Sequence, residues 1–189
     1  MTTNTVVVVH GKSEIALVRR IQNLLRMPMV IVSRDNGEEA ITMAQLPEFL
    51  STGIFSSENS LHKAYPQLEY TPRAKIKMER LKIFTVMDVD MDRRSLRSYQ
   101  TKDMFRESPF YDRIISVYND PNMDEIMTEI GLGQIQNKKV RSYAKIMDEI
   151  TDPLDLLAKL ECCSSTNMDI LVRHCLSRRP PYQNQIKPI

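Results

Sequence analysis

The sequence predicts an α/β fold: a mostly parallel sheet flanked by helices, with further helices at the C-terminal end. Three observations carry the prediction. Val6-Val7-Val8-Val9 is an unbroken β-branched run ending in His10-Gly11, the pattern of a strand buried on both faces. An amphipathic pattern follows at once. Leu17, Val18, Ile21, Leu24 and Leu25 form one stripe, while Arg19, Arg20, Gln22, Asn23 and Arg26 take the other side. A second apolar run, Met29-Val30-Ile31-Val32, comes straight after Pro28. Strand, helix and strand with short links make a βαβ unit, whose crossover is expected to be right-handed.

The remaining elements follow in order. Ser13 is a candidate cap for the first helix, and Pro28 marks its end. Residues 42–50 read as helix, and residues 51–60, rich in Ser, Gly and Asn, read as a loop. Residues 71–82 carry Arg73, Lys75, Lys77, Arg80 and Lys82 behind Pro72. They read as a basic helix or extended arm, with a solvated charged face as the plain alternative. Ile83-Phe84-Thr85-Val86-Met87 is the third strand and ends in Asp88-Val89-Asp90-Met91-Asp92. Arg113-Ile114-Ile115-Ser116-Val117 is the fourth. Asn119-Asp120-Pro121 signals a turn into a helix over 123–130, which Gly131-Leu132-Gly133 stops. Helical periodicity returns over 140–150, 153–162 and 168–176, and 179–189 reads as a loose tail. The expected organisation is an α/β unit over 1–150 with a helical, basic insertion at about 40–82. Helices over 151–178 pack on it, and the tail follows.

Composition narrows the function classes. Of 189 residues, 42% are hydrophobic, which supplies a core and argues against wholesale disorder. Lys+Arg number 26 and Asp+Glu 24, a net charge of +2. That excludes a histone-like coat and an acidic solvating tail, so any nucleic-acid contact rests on a local patch. No apolar run approaches the roughly 18–20 residues of a membrane helix. The N-terminus has neither a basic n-region nor a small-residue cleavage site. Cys162, Cys163 and Cys175 are odd in number, with two adjacent, which fits a reducing cytoplasm. No C-x-x-C pair accompanies His174, so buried or idle thiols are expected rather than zinc ligands.

Chemistry in parallel sheets gathers at the carboxyl ends of the strands. Gly11-Lys12-Ser13 ends like a P-loop, but the position of the loop's first glycine is Val6, so no phosphate-wrapping loop exists. Asp88 and Asp90 stand two residues apart, on one side of an extended segment. Paired carboxylates repel unless a cation sits between them or one takes a proton. Mg²⁺ or Mn²⁺, hard ions with oxygen ligands, are the natural partners. Asp92 continues the pattern, although Arg93, Arg94 and Arg97 follow and offer to pair with it. Glu14 opens the first helix just beyond strand one. If the two strands are neighbours, Glu14, Asp88 and Asp90 converge in one crevice, which suits metal-assisted phosphodiester chemistry. Lys12, Arg73, Lys75, Lys77, Arg93 and Arg94 would supply charge for phosphates.

The order of these motifs resembles a Toprim domain, in particular the small Toprim proteins of the RloB type, related to the nuclease half of OLD proteins. In that family the first strand typically ends in Glu-Gly followed by a Thr/Ser-Glu or -Asp pair. Here the residues are His10-Gly11-Lys12-Ser13-Glu14. The family's Asp-x-Asp is matched by Asp88-Val89-Asp90. Its Asn-Pro-x-Phe-Glu motif is similar to Asn119-Asp120-Pro121-Asn122-Met123-Asp124, with Asp124 at the glutamate position. Its Lys followed by Tyr-x-Lys is similar to Lys139, Tyr143 and Lys145. The resemblance covers about residues 5–147. It implies a Mg- or Mn-dependent nuclease with Glu14, Asp88, Asp90 and Asp124 as metal ligands and His10, Glu14 and Lys145 as catalytic groups. It also implies DNA or RNA as substrate, a role in phage defence or its counterpart, and a protein partner such as an ATPase.

One departure matters. His10 replaces the family's glutamate, the usual general base or metal ligand. Histidine serves as a base near neutral pH, but it is not a natural Mg²⁺ ligand. Either His10 takes over the task, with Mn²⁺ favoured, or the site is weakened. Plainer readings stand beside each residue: a strand-end His10 bonded to a carbonyl, first-turn carboxylates at Glu14 and Asp124, and a solvated helix face for Lys139, Tyr143 and Lys145. The expected functions are therefore a cytoplasmic nuclease, or a binding module that kept the fold and acts through a partner or as a homo-oligomer. A phosphotransferase using Asp88 as nucleophile ranks last, because Met91-Asp92-Arg93-Arg94 lacks the Gly/Thr-rich stretch such enzymes carry.

Overall fold

The computed structural model describes residues 2–69, 80–90, 92–132 and 140–186, and of the side chains in 140–144 only that of Tyr143. Four strands form one all-parallel sheet: β1 (Thr5–Val9), β2 (Val30–Val32), β3 (Lys82–Asp88) and β4 (Ile114–Asn119), in the order β2-β1-β3-β4. Val6 pairs with Val30 on one side and with Ile83 on the other, so β1 is central. Among the described residues eight helices flank the sheet: α1 (Lys12–Leu25), α2 (Leu46–Phe49), α3 (Glu58–Ala64), α4 (Arg93–Gln100), α5 (Met123–Glu129), α6 (Val140–Glu149), α7 (Pro153–Cys162) and α8 (Asp169–Ser177).

The alternation in β1 divides the core. Val7 and Val9, with Phe84, Val86 and Val117, pack under α1 and α5 to α8. Val6 and Val8, with Ile83, Met87 and Ile114, pack against Ile41, Leu46, Phe55, Leu61, Tyr99 and Phe110. Each valine is fully buried, which contributes on the order of 1.5–3 kcal/mol per side chain. The β1–β2 crossover runs through α1 on one face, whereas the described part of the long β2–β3 connection packs on the other. The chain therefore reverses direction between β1 and β3, and the crevice outside their carboxyl ends is the switch point of the sheet.

Tyr99 locks the second face. Its buried hydroxyl lies 2.6 Å from the Thr85 carbonyl, 2.9 Å from that of Val117 and 2.8 Å from Thr85 Oγ1, bridging β3 and β4. Arg20 Nε donates to the Ile150 carbonyl (2.8 Å), tying α1 to the chain just after α6.

Several sequence expectations are corrected. Residues 42–50 hold a 3₁₀ turn (Met43–Gln45) and the short α2, not one helix. The supposed loop over 51–60 contains the start of α3, because Ser57 Oγ accepts from Ser60 N (3.1 Å) and caps it. Lys82, read as part of the basic arm, is the first residue of β3. Arg73, Lys75, Lys77 and Lys139 lie outside the described residues. Ser13 does not cap α1; Gly11 holds that position. The tail is not loose as far as Ile186, which is buried in the first core with Tyr182 packed beside it. Met147, Leu156, Leu157, Leu160 and Met168 all lie in that core. Among the described residues no helix is long and apolar enough to cross a membrane.

Candidate functional site

At the switch point a cleft of about 300 Å³ is lined by His10, Lys12, Gly37, Glu38, Asp88, Asp90, Asn122, Asp124 and Tyr143. His10 follows β1 and continues its pairing, with its N–H on the Val86 carbonyl (2.9 Å). Ile41 clamps it twice. Ile41 N donates to the His10 carbonyl (3.0 Å), and His10 Nδ1 lies 2.9 Å from the Ile41 carbonyl. A carbonyl only accepts, so Nδ1 carries the proton and, in the neutral ring, Nε2 keeps a lone pair.

Glu14 lies beneath the cleft rather than on its wall. It is 0% exposed. Its Oε2 accepts from Gly11 N (2.8 Å) and its Oε1 from Ser13 Oγ (2.8 Å). Burial raises its pKa above the ordinary carboxylate value, with His10 and these donors opposing the rise. Each oxygen takes one donor and keeps a further lone pair. Glu14, expected as a metal ligand, is a first-turn carboxylate that holds the β1–α1 turn and is set back from the cleft wall.

Asp88 ends β3 at 9% exposure. Its Oδ1 accepts from Asn119 Nδ2 (3.1 Å) and Met123 N (3.2 Å). Thr166 Oγ1, 2.9 Å from Asn119 Oδ1, fixes the amide so that its NH₂ faces Asp88. Burial first, then the neighbouring carboxylates Glu14 and Asp90, push Asp88 up to about 9. Two donors pull the other way and do not win. Asp90 is exposed, and its Oδ1 accepts from Asn122 Nδ2 (2.9 Å). The chain leaves the strand after Asp88, held by Val89 N and Asp90 N on the Pro121 carbonyl (2.9 and 2.8 Å). Both aspartates still reach one cleft. Asp124, in the first turn of α5, accepts from the Tyr143 hydroxyl (2.8 Å).

The other predicted groups are spread wider. Lys12 sits on the rim, paired with Glu38 (2.5 Å). Arg93 is paired with Asp120 (2.7 Å), and Arg94 is exposed. Asp92 Oδ1 accepts from Ser95 Oγ (2.7 Å) rather than meeting the arginines. Lys145 is exposed and absent from the cleft wall, a correction to its expected catalytic place. Two residues turn a helix by about 200°, so Tyr143 facing inward sends Lys145 outward. Tyr143 is the group the sequence underrated, and the Tyr-x-Lys motif was the signal for it. Gly37 and Glu38 come from a non-periodic turn that only Asn36-Gly37 announced.

Among the described residues no three His, Cys, Asp or Glu side chains gather closely enough to hold a metal ion by themselves. The hydrogen bonds to Asp88 and Asp90 among these residues fall on Oδ1. A carboxylate pair completed by waters and a substrate phosphate is a donor set Mg²⁺ accepts, so the residues fit a hydrated hard cation and not a closed cage. His174, the histidine near the cysteines, bonds Thr5 Oγ1 (3.1 Å) at the opposite end of the sheet, and Cys163 and Cys175 are buried. No family model, curated protein or solved structure matches the chain.

Proposed function

We propose that the chain is a metal-dependent, nuclease-like protein of Toprim type that hydrolyses nucleic-acid phosphodiesters in the cleft between β1 and β3. The observation carrying this reading is the meeting of Asp88, Asp90, Asp124 and His10 in one cleft at the carboxyl edge of a parallel sheet. Asp88 supports it further. A carboxyl whose proton is favoured by burial, and then by the carboxylates of Glu14 and Asp90, is a position where a divalent cation displaces the proton. When bound, Mg²⁺ or Mn²⁺ supplies Lewis acidity and a water of lowered pKa. Asp88 and Asp90 would hold that ion. His10, its Nδ1–H fixed on Ile41, offers Nε2 to take a proton from the attacking water. Tyr143 keeps Asp124 oriented.

A second reading, a binding module acting through a partner such as an ATPase, is favoured by the full burial of Glu14, which sets it back from the cleft wall. Calorimetry with Mn²⁺ and Mg²⁺ on the natural chain and on Asp88→Ala/Asp90→Ala separates the two. Micromolar to low-millimolar binding that vanishes in the double variant supports the nuclease, and cleavage assays on plasmid, single-stranded DNA and tRNA follow. Binding that is absent, or indifferent to the substitutions, rejects it. Gain of cleavage in His10→Glu would identify a weakened nuclease.

A further inference from the structure

A second open cavity, of about 480 Å³, lies at the other end of the sheet and has the opposite charge. Lys82 and Asp88 are the first and last residues of β3, so the two sites are roughly 20 Å apart along the strand. The cavity is lined by Arg80, Lys82 and Arg178, together with Asn4, His174 and Ser177. The three cations arrive from two places: Arg80 and Lys82 from the entry into β3, and Arg178 from the end of α8.

Their charge is poorly offset. Among the described residues neither Arg80 nor Lys82 joins an ion pair. Burial lowers the Arg178 pKa and Arg80 adds to the fall, while Cys175 and then Glu69 oppose it. The field also reaches His174, pushed down to about 4 by burial and then by Arg178 and Lys82. Arg178 is held in place, since its guanidinium donates to the side-chain oxygen of buried Asn4. Like charges brought together without a counter-charge disfavour one another, and an anion relieves all three at once. A fixed guanidinium fork beside two further cations matches the oxygens of a phosphate.

We propose that this pocket is a phosphate-binding site, with Arg178 as the oriented fork and Arg80 and Lys82 as its charge partners. It uses none of the carboxylates and stands whether or not the cleft is a nuclease. The phosphate belongs either to a small phosphorylated molecule or to a nucleic-acid backbone, and the test separates these sources.

The full chain is titrated calorimetrically with inorganic phosphate, pyrophosphate and a short single-stranded oligonucleotide. The expected result is saturable binding of at least one probe that weakens with added salt. It falls roughly tenfold or more in Arg80→Gln/Lys82→Gln and is unchanged in Arg106→Gln, an exposed cation that lines neither site. Preference for pyrophosphate marks a small phosphorylated ligand; preference for the oligonucleotide marks a backbone phosphate. Should the double variant fail to fold, Arg80→Gln alone, at an exposed side chain, reads the same loss at smaller size. No saturable binding of any probe, or binding indifferent to these substitutions, overturns the proposal.

Discussion

The hydroxyl of Tyr143 on α6 donates to Oδ1 of Asp124 on α5 over 2.8 Å. Tyr143 is 9% exposed, and burial, then Asp124, raise its phenol above the ordinary value, so it stays a donor at every working pH. One bond thus orients a cleft carboxylate and docks a helix. Tyr143→Phe keeps the ring and removes the donor. The expected loss is about 1–2 kcal/mol, most of it from the carboxylate left without its partner. Urea unfolding of the two proteins measures it, and equal midpoints would show that the bond contributes nothing.

Asp88 sets a pH dependence of stability. Its folded pKa of about 9 lies above the ordinary 3.8, so the folded state binds the proton more tightly than the unfolded chain. The stability this gives is complete below about pH 4 and lost as pH rises through 9. Asp88→Asn removes the titration while keeping an acceptor for Asn119 and Met123. The variant should melt above the parent at pH 8 without divalent metal, and the gap should shrink toward pH 4. A gap that does not vary with pH contradicts this origin.

How much of this was legible in sequence depends on where apolar periodicity was strong. The alternation of Val6 to Val9 marked both faces of β1, and the stripe through Leu17, Ile21 and Leu25 marked α1. The meeting of His10 with Asp88 and Asp90 followed from strand ends in a parallel sheet. What stayed hidden was decided by single contacts. α4 carries only Leu96 and Tyr99 as apolar anchors among arginines, so no stripe declares it. α3 begins at a Ser57 cap inside a stretch whose composition reads as loop. Ile186, with Tyr182 beside it, draws the tail onto the core. Lys145 was misplaced because the motif specifies spacing and not helical phase.

His174 works in the opposite sense to Asp88. Buried against Phe84 (centroids 4.9 Å apart) and bonded to Thr5 Oγ1, it is pushed down to about 4 from 6.5 by burial, Arg178 and Lys82. Between these values the unfolded chain binds the proton and the folded chain does not, so stability rises with pH across that window. Acidification from pH 6.5 to 4 should remove on the order of 3 kcal/mol. In His174→Gln, which retains a polar partner for Thr5, this part of the acid dependence should disappear. Identical acid profiles for parent and variant would assign the loss to other groups.

The cleft also depends on Gly37. Its φ of +84° lies in the left-handed region, and a Cβ built there would come 2.6 Å from Ile15 Cδ1 and 3.1 Å from Lys12 N. The methyl tip of Ile15 can turn aside, but the Lys12 backbone belongs to the first turn of α1 and resists. Gly53 is the natural control, with a φ of +53° and nothing within 4 Å of its Cβ position. Both alanine variants carry the left-handed penalty of about 1–2 kcal/mol. Only Gly37→Ala adds crowding, which pushes the turn bearing Glu38 away from Lys12 and opens their ion pair at the rim. Gly37→Ala should therefore lose at least about 1 kcal/mol more than Gly53→Ala, the usual scale of overpacking. If the two variants unfold at the same denaturant concentration, the close approach of Gly37 to Lys12 does not constrain the cleft.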